Sequence, residues 1–233
     1  MILGITEIHK CPKCKALFLK GTLRSGNTIG ATYFTDGKMN AVMLKEFPKI
    51  TKCDTCNKIF WLNKPIGEWL SKSEQRYYSF KFRKPKNFTQ ACFLSIYEYQ
   101  EAIDLEIYKN KEEEIFLRIK LWHSFNDRIR YLSKTKDPAI FYNELYKNEN
   151  DQVLFETNCH KLIEILNKND ENDLLLLAEL YRNIGNFDEC ISILQTVSNP
   201  KYQKAADFIK NECENSNRFC REITFFQKEE QPF

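Results

Sequence analysis

A chain of 233 residues with 42% hydrophobic side chains, 14% aromatics and only seven glycines and seven prolines can bury the cores of two domains, and it is neither collagen-like nor low-complexity. It has no run of about 18 apolar residues to span a bilayer, and its first ten residues lack the basic and apolar regions of a secretory signal, so a cytoplasmic protein with reduced cysteines is expected. The formal net charge of +3 hides an asymmetry, because residues 1–90 hold 17 Lys and Arg against 6 Asp and Glu, and residues 91–233 hold 18 against 26.

Residues 1–62 carry most of the turn chemistry. Asp36-Gly37 lies between Ala31-Thr32-Tyr33-Phe34 and Ala41-Val42-Met43-Leu44, which predicts a tight hairpin because the turn needs positive φ. Gly26-Asn27 marks another turn. Residues 63–90 read as a junction, where Phe80, Lys81, Phe82 and Arg83 alternate apolar and basic until Pro85, the period of an extended strand.

From about residue 91 the period becomes helical. Ile96, Tyr99, Ile103 and Ile107 share one face. Glu112-Glu113-Glu114 suits the positive end of a second helix, which is apolar nearly all round from Ile115 to Phe125 and should be central; Arg128 and Arg130 suit its far end. A loop at Asp137-Pro138 is expected next. Phe155, Cys159, Leu162, Ile163 and Leu166 predict another amphipathic helix. Leu174, Leu177, Ala178 and Tyr181 predict the next, ended by Gly185 as a left-handed cap. Phe187, Cys190, Ile191 and Leu194 restart the pattern up to Asn199-Pro200, and Tyr202, Ala205, Ala206, Ile209 and Cys213 begin the last helix. The end of the chain reads as a loose tail.

Cys11-Pro12-Lys13-Cys14 and Cys53-Asp54-Thr55-Cys56 are two C-x-x-C pairs. Two intervening residues let a tight turn aim both sulfurs at one ion. Four thiolates satisfy a tetrahedral zinc site and leave no open position, so the site is expected to be structural. Iron is the alternative ion. Cys92, Cys159, Cys190, Cys213 and Cys220 fall on or near apolar stripes and are expected to be buried packing residues. Metal removal is expected to unfold residues 1–62 and leave the helices intact.

These pairs resemble the knuckles of zinc ribbons and rubredoxin-like domains over roughly the first quarter of the chain. Lys15 and Asn57 stand where those knuckles usually carry glycine, and 38 residues separate Cys14 from Cys53, more than the roughly 15–20 of the common pattern. Residues 171–204 resemble one tetratricopeptide repeat through Leu174, Leu177, Ala178, Tyr181, Gly185, Phe187, Cys190 and Leu194, which implies protein binding on a helical surface. The whole layout resembles uncharacterised bacterial proteins with a four-cysteine head and tetratricopeptide-like helices. The expected fold is α+β, with a β-rich zinc ribbon and basic junction at 1–90 and an all-α, repeat-like domain at 91–233.

Phosphate-loop, dinucleotide and H-E-x-x-H patterns are missing from the sequence, and histidines occur only at 9, 123 and 160. A non-catalytic interaction or scaffold protein is therefore expected, with another protein as partner and no membrane. Nucleic-acid binding is the alternative, through aromatics and cations interleaved at Tyr77, Phe80, Lys81, Arg83, Lys84 and Lys86, which could stack on bases and meet phosphates.

Overall fold

The computed structural model describes residues 1–69, 88–132 and 137–223, with Trp69 described by its backbone alone. The fold is mixed, with small β-sheets in the N-terminal part and seven helices after them among the described residues. The chain packs as two units: residues 1–29 with 41–107, and residues 30–40 with 108–233. This differs from a single cut after residue 90 in two ways. The first helix stays with the strands, and a short hairpin from the cysteine-rich region belongs with the helices.

In the first unit, β1 (Ile2–Leu3) pairs with β4 (Leu23–Ser25). β2 (Thr6–Lys10) and β3 (Leu17–Lys20) form an antiparallel hairpin with His9 opposite Phe18. β9 (Gly67–Trp69) extends this sheet beside β2, and β10 (Phe88–Gln90) runs parallel to β3. A second hairpin joins β7 (Ile50–Lys52) to β8 (Ile59–Trp61). Phe18 and Phe60 meet edge to face, 5.4 Å between centroids, in a small core that also holds Leu62 and Ala91.

Helix α1 (Ile96–Asp104) buries Ile96, Tyr99 and Ile103, as its periodicity predicts; Ile107 falls just beyond it. It is fastened to the strands by polar links. Lys52 Nζ lies 2.9 Å from Glu101, Trp61 Nε1 donates to the Ile107 carbonyl at 2.8 Å, and Thr51 Oγ1 donates to the Cys92 carbonyl at 3.0 Å.

In the second unit, α2 (Lys111–Asn126) buries Leu117, Leu121, Trp122 and Phe125, and it packs against α4 (Glu149–Ile165). The Asp137-Pro138 loop expected between them instead starts a helix, α3 (Pro138–Leu145): the Asp137 side chain accepts from the Ala139 N–H, and proline takes the first turn where its missing N–H costs nothing. Arg128 and Arg130 do not simply cap α2. Arg128 reaches the Leu145 carbonyl and Asp151, at 2.8 and 2.6 Å.

α5 (Glu171–Asn183), α6 (Phe187–Leu194) and α7 (Pro200–Glu214) pack on one another around Leu175, Ala178, Cys190, Leu194, Ala205 and Ile209. Gly185 sits at φ +83°, and the Asn186 N–H donates to the Tyr181 carbonyl at 2.9 Å. That closes α5 in the way a glycine C-cap allows.

The Asp36-Gly37 hairpin forms, but through the three residues Thr35 to Gly37, where the Phe34 N–H donates to the Lys38 carbonyl at 3.0 Å, and not the tight two-residue turn expected. β5 (Thr32–Tyr33) pairs with β6 (Met39–Asn40), and Gly37 takes φ +75°. Its second strand is shorter and earlier than residues 41–44. The tip sits among the helices. Asp36 has no exposed surface, and its carboxylate receives both terminal nitrogens of Arg130, one at 2.9 Å, and Asn126 Nδ2, also at 2.9 Å. The neighbouring Thr35 hydroxyl donates to Glu179 Oε1 at 2.7 Å, and Arg182 Nη2 donates to the same carboxylate at 2.6 Å. Arg182 also donates to the Phe219 carbonyl, at 2.9 Å. Residues after α7 return to the hairpin, where the Thr35 N–H donates to the Arg221 carbonyl and the Ile223 N–H to the Tyr33 carbonyl, both at 2.9 Å.

Complete burial alone would raise the Asp36 pKa; the Arg130 guanidinium and the nearby His123 outweigh it and hold the group well below the usual carboxylate range. Burial lowers His123, whose Nε2–H donates to the Asp36 carbonyl at 3.0 Å. Removing one member of a buried ion pair strands its partner. Asp36→Ala should therefore lower unfolding free energy by about 3–5 kcal/mol in urea titrations. The pH dependence has a clear sign. Below 6.5, the ordinary His value, the unfolded chain takes a proton that folded His123 refuses, so stability falls as pH drops from 7 to 5. His123→Gln should flatten that slope. The Asp36 contribution, whose folded pKa is depressed, is complete above about 3.9 and persists through this range.

Candidate functional site

The two knuckles are built alike. Each is a six-residue loop between paired strands, Cys11–Ala16 joining β2 to β3 and Cys53–Lys58 joining β7 to β8. In the first, the Cys11 N–H donates to the Ala16 carbonyl at 2.8 Å and the Lys15 N–H to the Cys11 carbonyl at 3.1 Å. In the second, the Cys53 N–H donates to Lys58 at 2.9 Å and the Asn57 N–H to Cys53 at 2.8 Å. Lys15 and Asn57 both adopt positive φ, +68° and +58°. Lysine therefore accepts the left-handed place that glycine fills in knuckles of this kind, a conformation uncommon for side chains without Asn-like chemistry.

This geometry brings all four predicted ligands together. The sulfurs of Cys11, Cys14, Cys53 and Cys56 all lie within 4.8 Å of one another, the one such metal-ligating group among the described residues. Cys11 and Cys56 sulfurs stand 3.6 Å apart, and Cys14 and Cys53 sulfurs 3.4 Å. Four sulfurs about 2.3 Å from a central ion would be separated by about 3.8 Å, so the group can hold a tetrahedral metal ion. Cys11 and Cys53 are fully buried, whereas Cys14 is exposed and Cys56 half-buried. In each knuckle the first cysteine faces the core and the second faces outward.

The same pairing appears in the electrostatics. The backbone N–H of the residue two past each outer cysteine, Ala16 and Lys58, is directed at its sulfur. For Cys56 that bond, reinforced by the other thiols, lowers the pKa to about 7. For Cys14 it is outweighed by desolvation and by the three neighbouring thiols, which push it up to about 12. A bound cation removes this conflict by converting all four to thiolates, so binding releases protons and weakens in acid.

No protein-family model, curated protein or solved structure matches this chain.

A groove of about 450 Å³ lies on the second unit between α5 and α6, lined by Leu174, Leu177, Tyr181, Ile193, Lys168 and Glu189 among others. Tyr181 is raised by partial burial and by the Glu189 carboxylate, so its hydroxyl stays a neutral donor. The other residues named as contacts for nucleic acid or an acidic partner, Tyr77, Phe80, Lys81, Arg83, Lys84 and Lys86, lie outside the described residues.

Two histidines are committed inside the fold. His9 is buried with Nε2 3.0 Å from Glu7, and the metal group does not include it. His123 is bound to Asp36. Of the remaining cysteines, Cys159, Cys190, Cys213 and Cys220 are buried as expected. Cys92 is exposed, because its backbone is held by Thr51 while its side chain points outward, donating to the Gln90 carbonyl. The polar cluster of Thr35, Asp36, Arg130, Glu179 and Arg182 was not visible in the sequence. Its members span 147 positions, from a hairpin turn to a helix, too far apart for any local pattern to pair them.

Purified protein should carry one metal ion per chain by elemental analysis. Cys53→Ser should lose it, and Cys92→Ser should keep it. Because residues 30–40 belong to the helical unit while both ends of that hairpin enter the metal-binding one, chelation should also lower hydrogen-exchange protection around Asp36 and α2. Unchanged protection there would restore the simpler expectation of independent helices.

Proposed function

We propose that this chain is a zinc-stabilised, non-catalytic interaction protein whose α5–α6 groove receives an apolar, basic peptide segment of a protein partner. A sulfur-only ligand set with near-tetrahedral spacing supports structural zinc, since a catalytic ion keeps a place for water. The first knuckle and its partner read as a zinc ribbon with rubredoxin-like loops. The helical pair α5–α6, closed by left-handed Gly185, reads as one tetratricopeptide-like unit.

The observation that carries the partner reading is the groove itself. Leu174, Tyr181 and Ile193 are only partly covered, Glu189 stands at its edge, and the half of the chain that holds it has 26 acidic against 18 basic residues. Apolar anchors flanked by cations complement such a surface. The internal commitments of His9 and His123 favour a binding role over acid–base chemistry.

A displayed library of short peptides, selected on the full metal-loaded chain, tests this. Enriched sequences should combine aliphatic or aromatic anchors with Lys or Arg, and Ile193→Asp should weaken the best of them at least tenfold. Fluorescence anisotropy with short single- and double-stranded oligonucleotides forms the second arm. Tight binding with a steep salt slope, together with no enriched peptide, would replace the proposal by a nucleic-acid-binding role.

A further inference from the structure

We propose that Cys190 and Cys213 form an oxidative modification site, in which a peroxide closes them into a disulfide that ties α6 to α7. Their sulfurs are 3.0 Å apart, across 23 residues of sequence. Both are free thiols in the buried cluster formed by α5, α6 and α7; Cys190 has no exposed surface and Cys213 has 4%. The helices already hold the two sulfurs in contact, so bond formation asks the sulfurs to close by about 1 Å. The other seven are arranged differently: four form the metal group, Cys159 is buried, Cys220 accepts from Arg130 at 3.2 Å, and Cys92 is exposed and donates to the Gln90 carbonyl.

The chemistry assigns distinct roles. The Cys213 thiol donates to the Cys190 sulfur, and the Arg182 guanidinium and Glu179 carboxylate act on both with opposite sign. Cys213, the one with any solvent contact, meets the peroxide first and attacks once it has lost its proton. It attacks one oxygen of hydrogen peroxide; a sulfur–oxygen bond forms, the oxygen–oxygen bond breaks, and hydroxide leaves as water after taking a proton. Cys190 sulfur then attacks the sulfenic sulfur of Cys213. The disulfide forms, the sulfur–oxygen bond breaks, and the proton of Cys190 leaves with hydroxide as a second water. The two thiols lose two electrons and the peroxide gains them. A dithiol reductant reverses the step through exchange.

The test uses the full metal-loaded chain, treated with hydrogen peroxide under native conditions, then denatured, blocked with N-ethylmaleimide and digested for mass spectrometry. The expected product is a Cys190–Cys213 linked peptide that disappears after dithiothreitol. Thermal unfolding of the oxidised chain should shift upward by roughly 5–10 °C, because a cross-link closing a loop of this size restricts the unfolded chain. Cys213→Ala, a change small enough for the cluster to absorb, should abolish both the linkage and the shift. Recovery of both cysteines fully alkylated, at peroxide doses that oxidise exposed Cys92, would overturn the proposal. So would linkage of either one to a different cysteine.

Discussion

Four thiolates cannot crowd within a few ångströms of one another unless a cation sits among them. Each added negative charge in so small a volume opposes the next. A metal ion held there would resolve that opposition and at the same time join two loops separated by 38 residues of chain. Around the cysteines, the first unit packs a cluster of Phe18, Phe60, Leu62 and Ala91. In a domain of this kind, metal-ligand bonds supply folding free energy that packing alone does not.

The chain between the two knuckles does more than bridge them. It leaves the metal-binding unit at residue 30 and re-enters at 41, having delivered the Asp36-Gly37 turn to the helices. The polar tip lands in a buried network that leaves His123 Nδ1 without a hydrogen-bond partner. Asp36 faces Arg130 and Asn126, and Thr35 faces Glu179 and Arg182. A buried ionic network is a poor source of net stability when compared with apolar packing, but it tolerates few alternative arrangements. Here its members come from three distant stretches of chain, which restricts the hairpin to one register and one depth.

Local chemistry was legible in the sequence, and long-range assembly was not. C-x-x-C spacing identified the ligands because two intervening residues suffice to aim both sulfurs, whatever the rest of the chain does. Gly185 and the stripes of α5, α6 and α7 were equally plain, because period and cap are local signals. Asp137-Pro138 is also a local signal for a helix start, since Asp before Pro is a sound N-terminal pair. The place of the Asp36 hairpin could not be read at all. Its turn is encoded by two residues, but its docking depends on Arg130, Glu179 and Arg182, each of which looks like an ordinary surface residue of an amphipathic helix. Cys92 shows the converse case: it lies beside an apolar stripe, yet its Thr51-bonded backbone turns the thiol outward.

Cys11, Cys14, Cys53 and Cys56 would form a closed sulfur shell around one metal ion. X-ray absorption at the metal edge of the purified protein examines that shell directly. Four sulfur neighbours at about 2.3 Å, with no lighter scatterer, is the predicted result for zinc. A nitrogen or oxygen ligand in the shell, or fewer than four sulfurs, would contradict it.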